Sequence, residues 1–260
     1  MTVGEKFEKL VKIVTRLRAP GGCPWDQEQT HASLLPYLLE EAYEVIESVD
    51  ANNWNVLREE LGDIMLHMVF QADIARQDKE FEIGAVLDGI TDKMIRRHPH
   101  VFGDQTAEAA FHAKRNWETT KHKEKKRTSR LDGVPVSLPA LIRAQRLQEK
   151  ASYVGFDWDQ VEGIWDKIHE ELEEVRQAES TDIRDHLEEE IGDLLFAVVN
   201  LARFYKIPAE DALRKTNRKF TKRFSLIEEK FKRQGKPIEE ATLAEMDAIW
   251  EENKASEEKT

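Results

Sequence analysis

The most constraining feature of this sequence is an acidic pattern that occurs twice with identical internal spacing. The second copy reads Glu170-Glu171-x-x-Glu174, then fifteen residues, then Glu190-x-x-Asp193. The first copy reads Glu40-Glu41-x-x-Glu44, then fifteen residues, then Glu60-x-x-Asp63, and it lies 130 positions earlier. Self-similarity at a fixed offset is typical of duplicated structural units. The repeat therefore predicts a chain built from two similar halves.

Each copy of the pattern predicts two carboxylate pairs on neighbouring helices. Residues three apart lie on one helix face, with Cβ atoms roughly 5–6 Å from each other. Four acids gathered between two helices repel each other unless a cation lies among them, and carboxylate oxygens suit Mg²⁺ or Mn²⁺. A solvated helix face is the alternative, and for a single acidic run it is the more common one. The candidate metal ligands are Glu171, Glu174, Glu190 and Asp193, with Glu41, Glu44, Glu60 and Asp63 as a second set.

The residues that follow each copy favour the metal-site interpretation. Residues 194–199 and residues 64–70 are apolar almost throughout, apart from His67. Such a run surrounds a helix with apolar side chains, which predicts a segment buried on all sides. A carboxylate at the entrance to a core is costly to desolvate unless something compensates its charge.

Composition restricts the classes of function. The net charge of −12 and the isoelectric point near 5.3 argue against a general binder of nucleic acid or of membrane surfaces. The single cysteine, Cys23, permits no intramolecular disulfide. No apolar stretch has the length of a membrane span and the amino terminus has no signal core, so a cytoplasmic location is expected.

Hydrophobic periodicity predicts an all-α protein. Apolar residues recur at helical spacing, and no segment shows sustained period-two alternation. We expect two tandem helical-bundle domains, residues 1–125 and 138–254, joined by a linker at 126–137. A helix from about residue 30 to 49 is expected to bend at Pro36, and another is expected around residues 111–117.

Cationic side chains recur near both acidic patterns. Lys219 and Arg223 lie one turn apart on a predicted helix that also carries Asn217, and Lys93 and Arg97 repeat the spacing in the first half. An exposed helix row is the alternative interpretation. Metal ions beside cationic side chains suit a polyphosphate, because both neutralise its charge. The sequence has no glycine-rich phosphate loop, so the metals would replace that backbone cradle.

These motifs together resemble the MazG nucleoside triphosphate pyrophosphohydrolases. The resemblance covers nearly the whole chain and rests on the paired acidic elements and four further segments: Gly22-Cys23-Pro24-Trp25-Asp26, residues 96–102 (RRHPHVF), residues 154–158 (VGFDW) and residues 217–224 around Asn217, Lys219 and Arg223. It implies a two-domain all-α protein of the superfamily that includes helical dUTPases, acting as a homodimer. It also implies Mg²⁺-dependent hydrolysis of NTP or dNTP between the α and β phosphates.

The resemblance also implies roles for individual residues, with the second half as the main catalytic domain. Glu171, Glu174, Glu190 and Asp193 would ligate Mg²⁺, Lys219 and Arg223 would hold the phosphates, and Asn217 and Trp250 would contact the nucleotide. Glu171, Glu174, Lys219 and Arg223 are thus the expected catalytic residues. In the first half Glu41, Glu44, Glu60, Asp63, Lys93 and Arg97 match, whereas Thr91 stands at the position of Asn217.

Two other functions remain open at this point. One is a non-catalytic helical module that binds a nucleotide or a protein partner. The other is a carboxylate-bridged di-iron oxidase, whose ligand helices carry Glu-x-x-His. The segments Glu28-x-x-His31 and Asp166-x-x-His169 only approximate that motif and precede the ligand pairs.

Overall fold

The described structure is helical, which confirms the all-α prediction. A computed structural model describes residues 1–103, 117–122, 124–125, 128–181 and 183–257, and within these ranges the regular elements are helices. No helix in these ranges is both long and apolar enough to cross a membrane. Most of the helix expected around residues 111–117 lies outside the described residues.

The chain divides into two compact units, Met1–Lys121 and His122–Thr260. The division falls a few residues before the expected domain limit at residue 125. The domain limits of 1–125 and 138–254 stay predictions.

The first unit is built around two long helices that carry its acidic residues. Its helices include α1 (Val3–Arg18), α2 (Pro24–Glu28), α3 (Leu35–Asp50), α4 (Trp54–Gln77), α5 (Ile83–Arg97) and α6 (Pro99–Phe102). Helix α3 packs along α4, and α1 packs on the C-terminal half of α4. The core consists of Val14, Leu34, Val69, Phe70 and Ile74.

The expected bend at Pro36 is wrong. Helix α3 begins at Leu35, so Pro36 lies in its first turn, and residues 31–34 form turns instead of helix. Proline is tolerated in a first turn because the backbone N–H groups there have no partner within the helix. Pro36 therefore starts the helix that carries Glu41 and Glu44.

The second unit repeats the plan with longer helices. Its elements are α7 (Ala140–Ser152), α8 (Val161–Thr181), α9 (Arg184–Phe204), α10 (Ala209–Gln234), a 3₁₀ turn (Ile238–Glu240) and α11 (Leu243–Glu257). Helix α8 packs along α9, and α7 contacts α9 and α10. Helix α10 ends at Gly235, whose φ of 68° is the left-handed conformation that favours glycine at this position.

Hydrogen bonds at the start of α11 fix the helix that carries Trp250. The Thr242 backbone N–H donates to Glu245 Oε2 at 2.8 Å, and Lys236 Nζ lies 2.6 Å from Glu245 Oε1. The hydrogen bond from Lys236, followed by those from Thr242, lowers the pKa of Glu245 to about 2. Ile227, Phe231 and Ile249 form a buried cluster between α10 and α11.

The expected burial of α9 on all sides is wrong. Leu195 is 53% exposed, and Ile191 and Val198 on the same face are 44% and 46% exposed. In α4 the equivalent face carries exposed Leu61, Met65 and Met68, each 130 positions earlier. We refer to these two sets of three residues as the α9 stripe and the α4 stripe. Periodicity identifies these side chains as one apolar helix face, but it does not show whether another part of the chain covers that face. Their exposure therefore could not be predicted from the sequence.

Candidate active site

Carboxylates of the second unit converge between α8 and α9. Oxygens of Glu171 and Glu174 from α8 and of Glu190 from α9 lie within 4.8 Å of one another. Asp193, one turn beyond Glu190, lines the same cavity as Glu171. The structure thus brings three of the four predicted ligands together and places the fourth, Asp193, on the wall of a cavity that Glu171 also lines.

Glu171 is the least solvated member of this cluster. Glu171 is 5% exposed, and its Oε1 lies 2.7 Å from Lys167 Nζ. Its Oε2 is buried without a hydrogen-bond partner among the described residues. An unsatisfied buried polar atom costs about 1–3 kcal/mol, and more when it is charged. A divalent cation would remove that cost, and an all-carboxylate donor set fits a hard ion such as Mg²⁺.

The electrostatics around Glu171 agree with a cation-binding role. Desolvation raises the pKa of Glu174, and the charge of Glu171 raises it further. The pKa of Lys167 is raised by its hydrogen bonds to Glu170 and Glu171. Lys167 therefore supplies positive charge to a site that accumulates negative charge.

The first unit contains a similar cluster. Oxygens of Glu41, Glu60 and Asp63 lie within 4.8 Å of one another, and all three residues are partly exposed. Desolvation, followed by the charges of Asp63 and Glu44, raises the pKa of Glu41 to about 7. Desolvation and then the charge of Glu44 also raise the pKa of Glu60. Both units therefore hold acids whose proximity favours a cation.

The composition of the two clusters argues against a di-iron oxidase. Among the described residues, both groups of candidate ligands consist of carboxylates alone. Asp166 and His169 are exposed on α8, and His31 pairs with Gln71. The helices that hold the clusters thus lack the Glu-x-x-His ligand arrangement of di-iron sites.

The predicted phosphate-binding residues lie on α10. Lys219 and Asn217 are exposed, and Arg223 is half-buried with its guanidinium 5.4 Å from the ring centre of Trp250. In the first unit Arg97 stands in the same way over Trp117, at 5.1 Å, and Lys93 is partly exposed. Stacking on tryptophan fixes the arginine through a cation–π contact. Phosphate binding by Lys219 and Arg223 stays a prediction.

A cavity of about 580 Å³ opens beside Glu171 and Asp193, and sequence reasoning did not predict it. Its apolar walls include Phe156, Trp158, Ile164 and Phe196. Polar side chains face it as well, namely Gln148, Asp157, Lys167, Asn200 and Arg203. Trp250, the residue expected to shape a nucleotide pocket, is not among the residues that line it. The available sequence signal was the loop with Gly155-Phe156-Asp157-Trp158, which echoes Gly22-Cys23-Pro24-Trp25.

Gly163 allows Trp158 to form one wall of this cavity. A Cβ atom at position 163 would lie 2.3 Å from Trp158 Cδ1, well inside van der Waals contact. Glycine is the residue that permits such close approach to the backbone. The indole therefore lies directly on the first turn of α8.

A comparison with protein families identifies this arrangement. The model of the MazG nucleotide pyrophosphohydrolase domain matches residues 29–102 and again residues 160–225. The chain belongs to the MazG family. Each match contains one of the two acidic clusters, so the duplication in the sequence is a duplication of MazG domains.

Full-length MazG relatives support the same assignment. The nucleoside triphosphate pyrophosphohydrolase/pyrophosphatase MazG of Thermotoga maritima is 48% identical over 257 residues, which cover 98% of both chains. The nucleoside triphosphate pyrophosphohydrolase of Escherichia coli strain K12 is 42% identical over 258 residues, 97% of this chain and 98% of that protein. An uncharacterized Bacillus subtilis protein, YabN, is 45% identical over 258 residues, which make up 53% of its length.

Proposed function

We propose that this MazG protein hydrolyses nucleoside triphosphates between the α and β phosphates, releasing a monophosphate and pyrophosphate. The observation that carries the proposal is the buried, unpartnered Oε2 of Glu171, described above, at the edge of a cavity of about 580 Å³. Ligand pockets have volumes of roughly 300–1,000 Å³. The names of the Thermotoga and Escherichia relatives support the same activity.

In this proposal the carboxylates of the second unit bind Mg²⁺. Glu171, Glu174, Glu190 and Asp193 hold the ion, and Mn²⁺ suits the same oxygen ligands. When bound, such an ion neutralises phosphate charge and lowers the pKa of a coordinated water. Lys219 and Arg223 would contact phosphate oxygens, and Asn217 would assist them.

The test of the reaction is product analysis on the full chain. Incubation of each dNTP and NTP with Mg²⁺ should give monophosphate and pyrophosphate in equal amounts. In ¹⁸O-labelled water, the label locates the attacked phosphorus. Formation of nucleoside diphosphate and orthophosphate would exclude the proposed cleavage, and nucleotide binding without any turnover would favour the non-catalytic module.

Removal of divalent metal should abolish hydrolysis. We expect at least about a hundredfold lower kcat after dialysis against EDTA, because the carboxylates and the triphosphate then repel each other without a metal ion between them. Mg²⁺ or Mn²⁺ should restore the rate, while circular dichroism should show unchanged helicity. Full activity in metal-depleted protein, checked by elemental analysis, would contradict the proposal.

We also infer that the protein is a homodimer, with the two exposed stripes in its interface. Contiguous apolar faces on a soluble protein mark interaction sites. The α4 and α9 stripes occupy equivalent positions, so both duplicated units retain the same uncovered face. In a two-fold dimer the same patch of each subunit meets, so an exposed apolar patch can pack against its own copy.

A charge placed in the α9 stripe should dissociate that dimer. Leu195→Glu is expected to shift the mass from about twice 30.2 kDa toward 30.2 kDa, because an unpaired buried carboxylate is costly. Multi-angle light scattering measures the mass directly. The control is Glu188→Ala, an exposed position on the same helix. A monomeric wild type, or a Leu195→Glu variant that stays dimeric, would disprove the role of this stripe.

A further inference from the structure

One ion pair joins the loop before α8 to helix α9. This loop, residues 153–160, contributes Phe156, Asp157 and Trp158 to the walls of the cavity. Arg203 on α9 donates from Nη1 to Asp157 Oδ2 at 3.0 Å and from Nη2 to Asp157 Oδ1. Two parallel hydrogen bonds of this kind make an arginine–carboxylate pair strong and fix its geometry. Asp157 therefore attaches the loop to α9.

The two partners of this ion pair differ in how firmly they are held. Arg203 Nε donates to Asn200 Oδ1 at 2.8 Å, and Asn200 is 5% exposed. The Arg203 side chain is 11% exposed, whereas the Asp157 side chain is 31% exposed. The α9 side of the ion pair is thus fixed and shielded, and water reaches the loop side. A partly solvated ion pair contributes modestly to stability, so it can open without unfolding the unit.

The first half of the loop lies at the surface. Val154 and Phe156 are 55% and 79% exposed. The backbone N–H groups of residues 154–156 donate to carbonyls of residues 151 and 152, in the last turn of α7, and thus do not reach α9. Gly155 has a φ of 90°, a left-handed conformation that favours glycine. Segments with few buried apolar contacts open at a low cost in free energy.

The first unit fastens the matching segment in a different way. In the aligned motif Pro24 stands where the second unit has Asp157, and Asp73 stands 130 positions before Arg203. The segment forms helix α2, and Arg18 Nη1 donates to two of its backbone carbonyls. The Arg18 side chain is 4% exposed and lies 3.4 Å from Asp73 Oδ2. A buried arginine therefore holds the backbone there, and the partly solvated ion pair belongs to the second unit.

We propose that the loop before α8 moves and that the ion pair between Arg203 and Asp157 holds it closed over the cavity. The proposal rests on the proposed function, because the molecule that enters is then the triphosphate substrate. Glu171 and Asp193 line the same cavity, so the closed loop shields the candidate metal site from water. Substrate enters and product leaves while the ion pair is broken. Arg203 and Asp157 are thus positioning residues, which act through the loop.

The first test measures loop opening without a ligand. Hydrogen–deuterium exchange of the full chain, read by mass spectrometry, follows the amide of Trp158, which donates to Asp157 Oδ1 at 3.0 Å. Arg203→Met removes the ion pair and leaves that acceptor in place. We expect exchange in residues 153–160 to rise at least about fivefold and exchange within α8 to change less than about twofold. Unchanged exchange in the loop, or equal acceleration in both segments, would overturn the proposal.

The second test measures access of the substrate to the site. Stopped-flow fluorescence with Mg²⁺ and a fluorescently labelled α,β-imido dNTP, which resists the proposed cleavage, gives the association and dissociation rate constants. Asp157→Asn and Arg203→Met should each raise both rate constants about five- to fiftyfold, because a closed loop slows entry and exit alike. The double variant should match either single variant within about twofold, because both substitutions break one contact. Additive effects, or a change in the dissociation rate constant alone, would contradict a moving loop.

The control is Glu229→Gln, which breaks an exposed ion pair elsewhere in the second unit. Glu229 lies 2.9 Å from Arg233 on α10, so its loss should leave loop exchange and both rate constants within about twofold of wild type. An effect equal to that of Asp157→Asn would show a general influence of charge and refute the role of the loop. If Arg203→Met does not fold, Asp157→Asn, at a partly exposed position, serves in both tests.

The outcomes separate this proposal from the proposed function. Faster loop exchange in the variants, together with a wild type that releases no pyrophosphate, would refute the hydrolysis alone. Pyrophosphate release by the wild type, together with unchanged loop exchange in the variants, would refute the moving loop alone.

Discussion

Replacing Glu171 by glutamine should lower kcat for nucleoside triphosphate hydrolysis by about a hundred- to a thousandfold. A single preorganised charge-stabilising group contributes that much in enzymes that rely on electrostatic catalysis, and a glutamine keeps the size of the side chain but not its charge. Stability should change much less than activity. Glutamine removes the unpartnered charge at the position of Glu171 Oε2, which offsets the loss of the ion pair between Oε1 and the partly exposed Lys167. We therefore expect the metal-free variant to unfold within about 1 kcal/mol of wild type.

Steady-state kinetics with saturating Mg²⁺ and thermal unfolding in EDTA measure the two effects separately. Glu41→Gln, the matched change in the first unit, should reduce kcat far less, because the second unit contains the described cavity. A large loss of activity in Glu41→Gln with little loss in Glu171→Gln would reverse the assignment of the main site. A variant that is both inactive and unfolded would show that Glu171 has a structural role instead.

Truncating Phe231 to alanine should destabilise the second unit by about 3–5 kcal/mol. Phe231 is 2% exposed and packs with Ile227 and Ile249, the cluster that joins α10 to α11. Domains are stable by only about 5–15 kcal/mol, so this loss is a large share of the total. We also expect weaker activity, since the same cluster supports Trp250 and, through it, Arg223.

Urea denaturation of the full chain provides the measurement, and Phe220→Ala provides the control. Phe220 lies on the same helix and contacts Trp250 at 5.3 Å between ring centres, but it is 56% exposed. Its truncation should cost less than about 1 kcal/mol. Two transitions are expected from two units, and Phe231→Ala should shift one of them. Equal effects of the two substitutions would mean that the α10–α11 cluster does not stabilise the unit.

Local patterns predicted the helices and the acidic clusters. The spacing Glu-x-x-Glu and Glu-x-x-Asp specifies one helix face, so Glu171, Glu174 and Glu190 could be assigned to one site from their spacing and its repetition. Periodicity does not show whether another part of the chain covers an apolar helix face. Leu195 and Met65 were therefore expected inside the unit, although the chain itself leaves both about half exposed.

The cavity could not be predicted from the sequence for a different reason. Its walls come from Leu131 before α7, from α7, from the loop before α8, and from α8 and α9, so its existence depends on how these segments pack. Gln148, Asn200 and Arg203 belong to no motif, and polar residues on amphipathic helices are ordinary. Glu171 and Asp193 belong to the acidic pattern, and Phe156, Asp157 and Trp158 lie in the loop that echoes residues 22–25. The prediction of a bend at Pro36 was wrong because the sequence did not show where the helix begins. Without that boundary, a proline in the first turn cannot be told from one in the helix interior.

The unpartnered oxygen of Glu171 has a thermodynamic consequence beyond catalysis. An ion that binds the folded carboxylate cluster and not the unfolded chain stabilises the fold by mass action, by about 2.7 kcal/mol at a hundred times its Kd. The melting temperature of the second unit should accordingly rise with free Mg²⁺ concentration. The free Mg²⁺ concentration would then affect both the fraction of the protein that is folded and the rate at which it hydrolyses substrate.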